Sequence, residues 1–344
     1  MSGLSARGRA LVLVAIAALV AVLVAVAVVS EGSAPPAPSA EAVGAGDAAA
    51  YARIIAEMQS GGGYHDSAQN VLRAEGYGTR SVFNWRTPAW PILVAGLGPA
   101  LAQAFLGALA LFALALTYRM ARPDGLAVAA IATLAVGSSL FGIAAPEAVY
   151  FTEIAAGTLI LLSVAAYGAG WRWIGLLAGL IALFVRELAA PYVLVCLVIA
   201  LWQRRWREAA GWAAGMAVYA LYFGWHWWEV ARRLGAEDRA YPDSWLQFGG
   251  MAFLLKTSGF NGLWSLAPVW VTALILPVAL FGLWAWRGGG RALAVVAAYL
   301  TLFALVGKPF NSYWGALYTP VMMLGFGWAW LALREAFAGK TIPA

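Results

Sequence analysis

The chain has 344 residues, 63% of them hydrophobic and only 11% charged, with a formal net charge of +6. Soluble domains carry roughly a quarter charged residues, so this composition cannot cover a water-soluble globule, and lipid must be the solvent over most of the surface. The apolar runs are continuous and rich in Ala, Leu and Gly, which excludes the alternating strands of a β-barrel and leaves an all-α polytopic membrane protein.

Apolar runs of about 20 residues mark candidate spans, and Lys/Arg in short loops set their sides. Ala10–Val29 follows Arg7 and Arg9, which place the N-terminus in the cytoplasm. It is longer than the roughly 7–15 residues of a signal-peptide core, so it reads as a retained anchor. Residues 30–89 form a first external loop that begins as a Pro- and Ser-rich linker (Pro35, Pro36, Pro38). Span two is Trp90–Leu116, with Pro99 as an expected kink and Arg119 and Arg122 at its exit; Leu126–Ile143 and Ala148–Tyr167 follow.

The stretch from Trp173 to Trp202 carries Arg186 and Glu187 at its middle. A single helix would bury that Arg near the bilayer centre at about 2.5–3.5 kcal/mol. Two short helices, Ile174–Val185 and Ala189–Leu201, instead put the pair near the outer surface and keep Arg204, Arg205 and Arg207 inside. The remaining expected spans are Ala209–Trp228, Trp264–Trp286, Ala292–Val306 and Trp314–Leu333, with a second external loop over 229–263. The result is about ten transmembrane helices with both termini cytoplasmic. Twelve of the 22 Lys/Arg but only three of the 16 acids, Asp124, Glu208 and Glu335, fall in the cytoplasmic loops, which is why the positive charge reads as an orientation signal rather than a nucleic-acid surface. Short amphipathic helices are expected around 51–59 and 229–255. Cys196 is the only cysteine, so no intrachain disulfide can form, and His65 and His226 stand far apart, without a zinc-type cluster.

The acids Asp47, Glu147, Glu153 and Glu187 sit at external span ends rather than mid-span. A transport pathway would more often bury ionisable groups at depth; this pattern favours chemistry at the outer membrane surface. The first loop reads Gly46-Asp47, then Tyr51 and Arg53, then Thr79-Arg80 and Trp85-Arg86-Thr87-Pro88-Ala89-Trp90-Pro91. Later come Tyr118-Arg119, Phe151-Thr152-Glu153, Phe184-Val185-Arg186-Glu187, and Lys308-Pro309 with Tyr313 before Pro320. In order and layout these patches resemble the GT-C superfamily of membrane glycosyltransferases, the group of polyprenyl-phosphate-sugar-dependent mannosyl- and aminoarabinosyl-transferases. Pro88 and Pro91 are split where that family has a pair, and Lys308 stands five residues before Tyr313 where an Arg is usual.

The resemblance implies an inverting transfer at the external face of a bacterial plasma membrane, in cell-envelope chemistry. The donor would be a polyprenyl-phosphate sugar and the acceptor a glycan, lipid or protein. It implies Asp47 as the base, with Asp66 as the alternative; each also suits a helix N-cap. Arg80, Arg86, Arg186 and Lys308 are the expected phosphate holders, because guanidinium groups match phosphate oxygens. Glu153 and Glu187 are expected partners of Arg186, and Tyr51, Trp85 and Tyr313 are candidate sugar platforms. No cofactor is assigned; a divalent metal at the phosphate is compatible with the reading. The rival classes are a lipid or small-molecule transporter and a non-catalytic scaffold.

Overall fold

The structure is a computed structural model describing residues 6–32, 46–240, 247–307 and 310–338. The Pro-rich linker and Lys308 lie outside those residues. The described chain is all-α, with no strand. In order the helices are α1 (Ala6–Gly32), α2 (Asp47–Gln59), α3 (Tyr64–Ala74), α4 (Ala89–Leu97), α5 (Pro99–Ala121), α6 (Leu126–Leu140), α7 (Thr152–Gly168), α8 (Arg172–Val185), α9 (Ala190–Trp202), α10 (Trp206–Ala231), α11 (Gly250–Gly259), α12 (Val269–Ala285), α13 (Gly290–Leu305), α14 (Thr319–Met323) and α15 (Gly325–Ala338).

By length and composition, three segments can cross a membrane: Gly8–Val29, Pro99–Asp124 and Leu126–Ala144. Their outward side chains stay bare, as Leu11, Leu101 and Leu134 do, which suits lipid as the neighbour. Helices α7, α8, α9, α12 and α13 are apolar but shorter, and α10, which holds the expected span Ala209–Trp228, is long enough at 26 residues but falls short in composition. Where the sequence predicts one kinked span at Pro99, the chain breaks fully at Gly98, whose φ of 81° lies in the left-handed region that glycine tolerates without a Cβ clash. The last expected span is likewise divided into a 3-10 turn over Ser312–Leu317, then α14 and α15. The hairpin holds as expected: α8 and α9 are separate helices joined at Arg186–Ala189.

Helix α7 is the hub. Its residues are apolar on every side and almost all buried from Thr152 to Ala166, the signature of a core helix. It packs against α5 and α8. Close backbone approach depends on glycine: a Cβ on Gly157 would land on the Ala316 carbonyl, and one on Gly282 on that of Gly325. A small second core, formed by Ala50, Tyr51, Ile54, Tyr64, Leu72 and Trp85 with Val230, docks α2 and α3 on α10. The helix expected around 51–59 is present within α2; of the helix expected over 229–255 only the last residues form a helix of their own, in α11, while 229–231 end α10 and 232–240 form no helix.

The bundle has two chemically different ends. Loops after α5, α7, α9 and α12 converge at one, where Met120, Gly170, Gln203 and Arg287 line a common cavity. At the other, Asp47, Arg86, Arg186 and Tyr313 line a second. Helix α8 connects the two ends with 14 residues, about 21 Å of rise, so the bundle is thinnest beside Arg186.

Candidate functional site

Asp47 is the first residue of α2, behind Gly46 as N-cap, and its side chain makes no capping bond. It turns instead into a cavity of about 60 Å³ shared with Tyr51, Tyr77, Arg86, Arg186, Asn311 and Tyr313. The carboxylate accepts from the Tyr77 hydroxyl at 2.9 Å, the Tyr313 hydroxyl at 2.7 Å and Arg86 Nη2 at 2.8 Å. Burial pushes its pKa up, but the Arg86 charge and the two tyrosine bonds outweigh that, and the net direction is down.

Arg86 is the hinge of the arrangement. Its side chain is buried, its backbone has φ 52°, and its guanidinium lies 4.2 Å from the Tyr51 ring centroid. A non-glycine residue in the left-handed region is uncommon and costs backbone energy. The turn is held from both sides: the Tyr64 hydroxyl donates to the Trp85 carbonyl, and the Thr87 hydroxyl donates to the carbonyl of Val185 at 3.1 Å. The second of these bonds clamps the loop to the α8–α9 hairpin.

Behind this layer, Glu153 is wholly buried at the start of α7. Arg186 Nε is 2.9 Å from Glu153 Oε1, Arg186 Nη1 is 2.6 Å from Glu187 Oε1, and Arg86 Nη2 is 4.0 Å from Glu153 Oε2. Five charges therefore alternate in sign: Asp47, Arg86, Glu153, Arg186, Glu187. Two cations face three carboxylates, which stabilises the guanidiniums but leaves neither free.

The other expected residues fall elsewhere. Asp66 pairs with Arg233 at 2.8 Å, and its side chain is 66% exposed, so it lines no part of this cavity. Arg80 is exposed and donates to the Asp238 carbonyl at 2.9 Å; it braces the second loop instead of the cavity. Trp85 is fully buried with its indole N–H on the Thr79 carbonyl at 2.7 Å, which makes it core and removes it as a sugar platform. Lys308 lies outside the described residues. Sequence reasoning missed Tyr77, Asn84 and Asn311. Tyr77, set between Gly76 and Gly78, was the legible one, as an aromatic in a polar turn. Among the described residues no group of three His, Cys, Asp or Glu side chains is placed so as to hold a metal ion, and the carboxylates here are already engaged by guanidiniums. A divalent metal does not fit this donor set.

His65 and His226 stand far apart in sequence, but the fold joins them: His65 Nε2 is 2.9 Å from His226 Nδ1 in a buried contact. Burial first, and Arg233 second, depress the His65 pKa to about 4. A histidine with a depressed folded pKa stabilises nothing below its unfolded value near 6.5. Above that pH both states are neutral; as pH falls from 6.5 toward 4 the unfolded chain takes up the proton first. From His65 alone stability should drop by about 2 kcal/mol between pH 7 and pH 5, as a fall in thermal midpoint that His65→Gln reduces.

No family model, no curated protein and no solved structure matches the chain.

Proposed function

We propose that the chain is an inverting glycosyltransferase that takes its sugar from a polyprenyl phosphate at the external face of the membrane. The observation that carries this reading is the convergence of Asp47, Arg86, Arg186 and Tyr313, drawn from four distant segments, on one cavity at one end of an apolar bundle, with buried Glu153 bridging the two arginines behind it. The acceptor hydroxyl oxygen attacks the anomeric carbon, its proton passes to Asp47, and the sugar–phosphate bond breaks to release polyprenyl phosphate toward Arg86 and Arg186. At about 60 Å³ the cavity has room for only one or two waters, so the described state is closed. The exposed rings of Phe83 and Phe310 at its rim are the groups that move for donor entry.

The ion pairs make base strength depend on donor. Arg86 holds the Asp47 pKa down in the closed state. A donor phosphate that takes over Arg86 removes that charge, and burial then raises the Asp47 pKa toward the range of a working base. For the lipid chain, an apolar groove of about 180 Å³ lies beside the site. Phe151 separates the two, lining the groove while its ring sits 5.7 Å from that of Tyr313. A transporter needs a polar route between the ends, whereas the middle of α7 packs Ala155, Ala156, Ile160 and Leu161 with no exposure.

The test is transfer or hydrolysis of polyprenyl-phosphate sugars by the purified protein in liposomes. No turnover with any such donor, together with full function of the Asp47→Asn protein in cells, overturns the assignment. The sidedness is checked separately. On a Cys196→Ala background, a cysteine at exposed Ser60 should react with an impermeant maleimide from outside, and one at exposed Gln203 only after permeabilisation. The reverse pattern inverts the topology.

A further inference from the structure

The end of the bundle opposite Asp47 has its own cavity, of about 630 Å³, with Arg172, Arg205, Arg287 and Arg291 in its lining. Three helices begin there: α8 at Arg172, α10 at Trp206 and α13 at Gly290. None has a side-chain cap, and α8 and α13 carry no acid in their first turns. Uncapped helix N-termini present free N–H groups and the positive end of the helix dipole. The one carboxylate in the first turn of α10, Glu208, is shared by Arg205 at 3.6 Å and Arg291 at 3.2 Å. Arg172 and Arg287 are exposed and have no carboxylate within ion-pair distance among the described residues.

Basic loops on a membrane protein are ordinarily orientation signals lying in solvent or against headgroups. Arg291 departs from that. Its side chain is only 10% exposed, its guanidinium stacks 3.6 Å over the Tyr167 ring, and its buried Nη1 has no nitrogen or oxygen acceptor, with only the weakly accepting Cys196 thiol beside the guanidinium. A buried charged donor left without a strong acceptor is costly, and an anion in the cavity supplies one. Exposed Trp173, Trp202 and Trp206 stand at the adjoining ends of α8, α9 and α10, the aromatic setting of a headgroup layer.

We propose that this cavity binds a phosphate ester, either the headgroup of an anionic phospholipid or a free phosphoester, between the N-termini of α8, α10 and α13. The phosphate oxygens accept from Arg291 Nη1 and from the free arginines, which suit phosphate geometry. The site stands apart from the glycosyltransferase reading and survives its failure.

The test uses the full chain in neutral detergent, with binding read by native mass spectrometry and thermal shift. The probes are phosphatidylglycerol, phosphatidylcholine, glycerol 3-phosphate and inorganic phosphate. Phosphatidylglycerol is expected to bind and stabilise where phosphatidylcholine does not. Arg291→Gln and Arg287→Gln should each weaken it by roughly 10-fold, while Arg122→Gln, exposed at the same end but outside the cavity, should change it less than about twofold. Saturable binding of glycerol 3-phosphate or inorganic phosphate, with the same variant ranking, assigns a soluble phosphoester; its absence assigns the lipid. Equal effects of all three substitutions mean a general surface charge and overturn the site, as does wild-type affinity in the cavity variants. Arg287 has no partner to lose, so Arg287→Gln decides the matter if Arg291→Gln does not fold.

Discussion

Asp47→Asn is expected to lower sugar transfer by about 10²–10⁴-fold, the ordinary contribution of a positioned general base, while donor affinity is retained or raised. Both halves follow from the geometry. The Tyr77 hydroxyl now donates to Asp47 Oδ1 at 2.9 Å and the Tyr313 hydroxyl to Oδ2 at 2.7 Å; asparagine keeps an acceptor oxygen for one of them and its amide can donate to the other hydroxyl oxygen, so the cavity wall survives. It removes the charge opposite Arg86, and the guanidinium is then freer to meet a phosphate. A purely structural Asp47 predicts otherwise: loss of activity in proportion to loss of folded protein. Single-turnover rates and donor binding on the same preparation separate the two, and a variant with wild-type turnover moves the base elsewhere. Asp66→Asn is the control; its carboxylate stands in solvent with Arg233, and transfer should stay within about twofold, as for surface ion pairs in general.

Arg186→Ala is expected to be the most destabilising single change at the site. Arg186 is buried between fully buried Glu153 at 2.9 Å and Glu187 at 2.6 Å. Removing one partner of a buried pair strands the other, at about 3–5 kcal/mol. In thermal unfolding in detergent this should appear as a fall of roughly 10 °C. The double variant Arg186→Gln with Glu153→Gln removes both charges in similar volume and should recover much of the stability. It should not recover donor binding if Arg186 holds phosphate. Recovery of both would make Arg186 a structural residue alone and leave Arg86 as the phosphate holder.

How much of the site was legible differs residue by residue. Arg186 and Glu153 were marked out as charges beside apolar helices, which need a reason; Asp47, Arg86 and Tyr313 were marked out by the order of patches that resembles a known family. Arg80 and Trp85 were marked out by the same logic and belong to other contacts. Both lie within seven residues of Arg86 in one short loop, and only the direction each side chain takes distinguishes them. Composition cannot report that direction, since it is set by the Tyr64 and Thr87 bonds that force Arg86 to φ 52°. The pairing of His65 with His226 was invisible for a related reason: two residues 161 apart meet only once α3 docks on α10.

What the sequence determined by itself is the solvent and the sorting of charge. So few charged residues dictate lipid, apolar runs near bilayer length dictate helices, and Arg186–Glu187 in mid-run dictates a hairpin, because each follows from the cost of leaving a polar group in hydrocarbon. Tertiary structure alone decided which charges face each other. An ion pair such as Arg86 with Asp47 depends on separations of a few ångström between segments far apart in the chain, and those separations are set by how closely backbones pack, down to the missing Cβ of Gly157 against the Ala316 carbonyl.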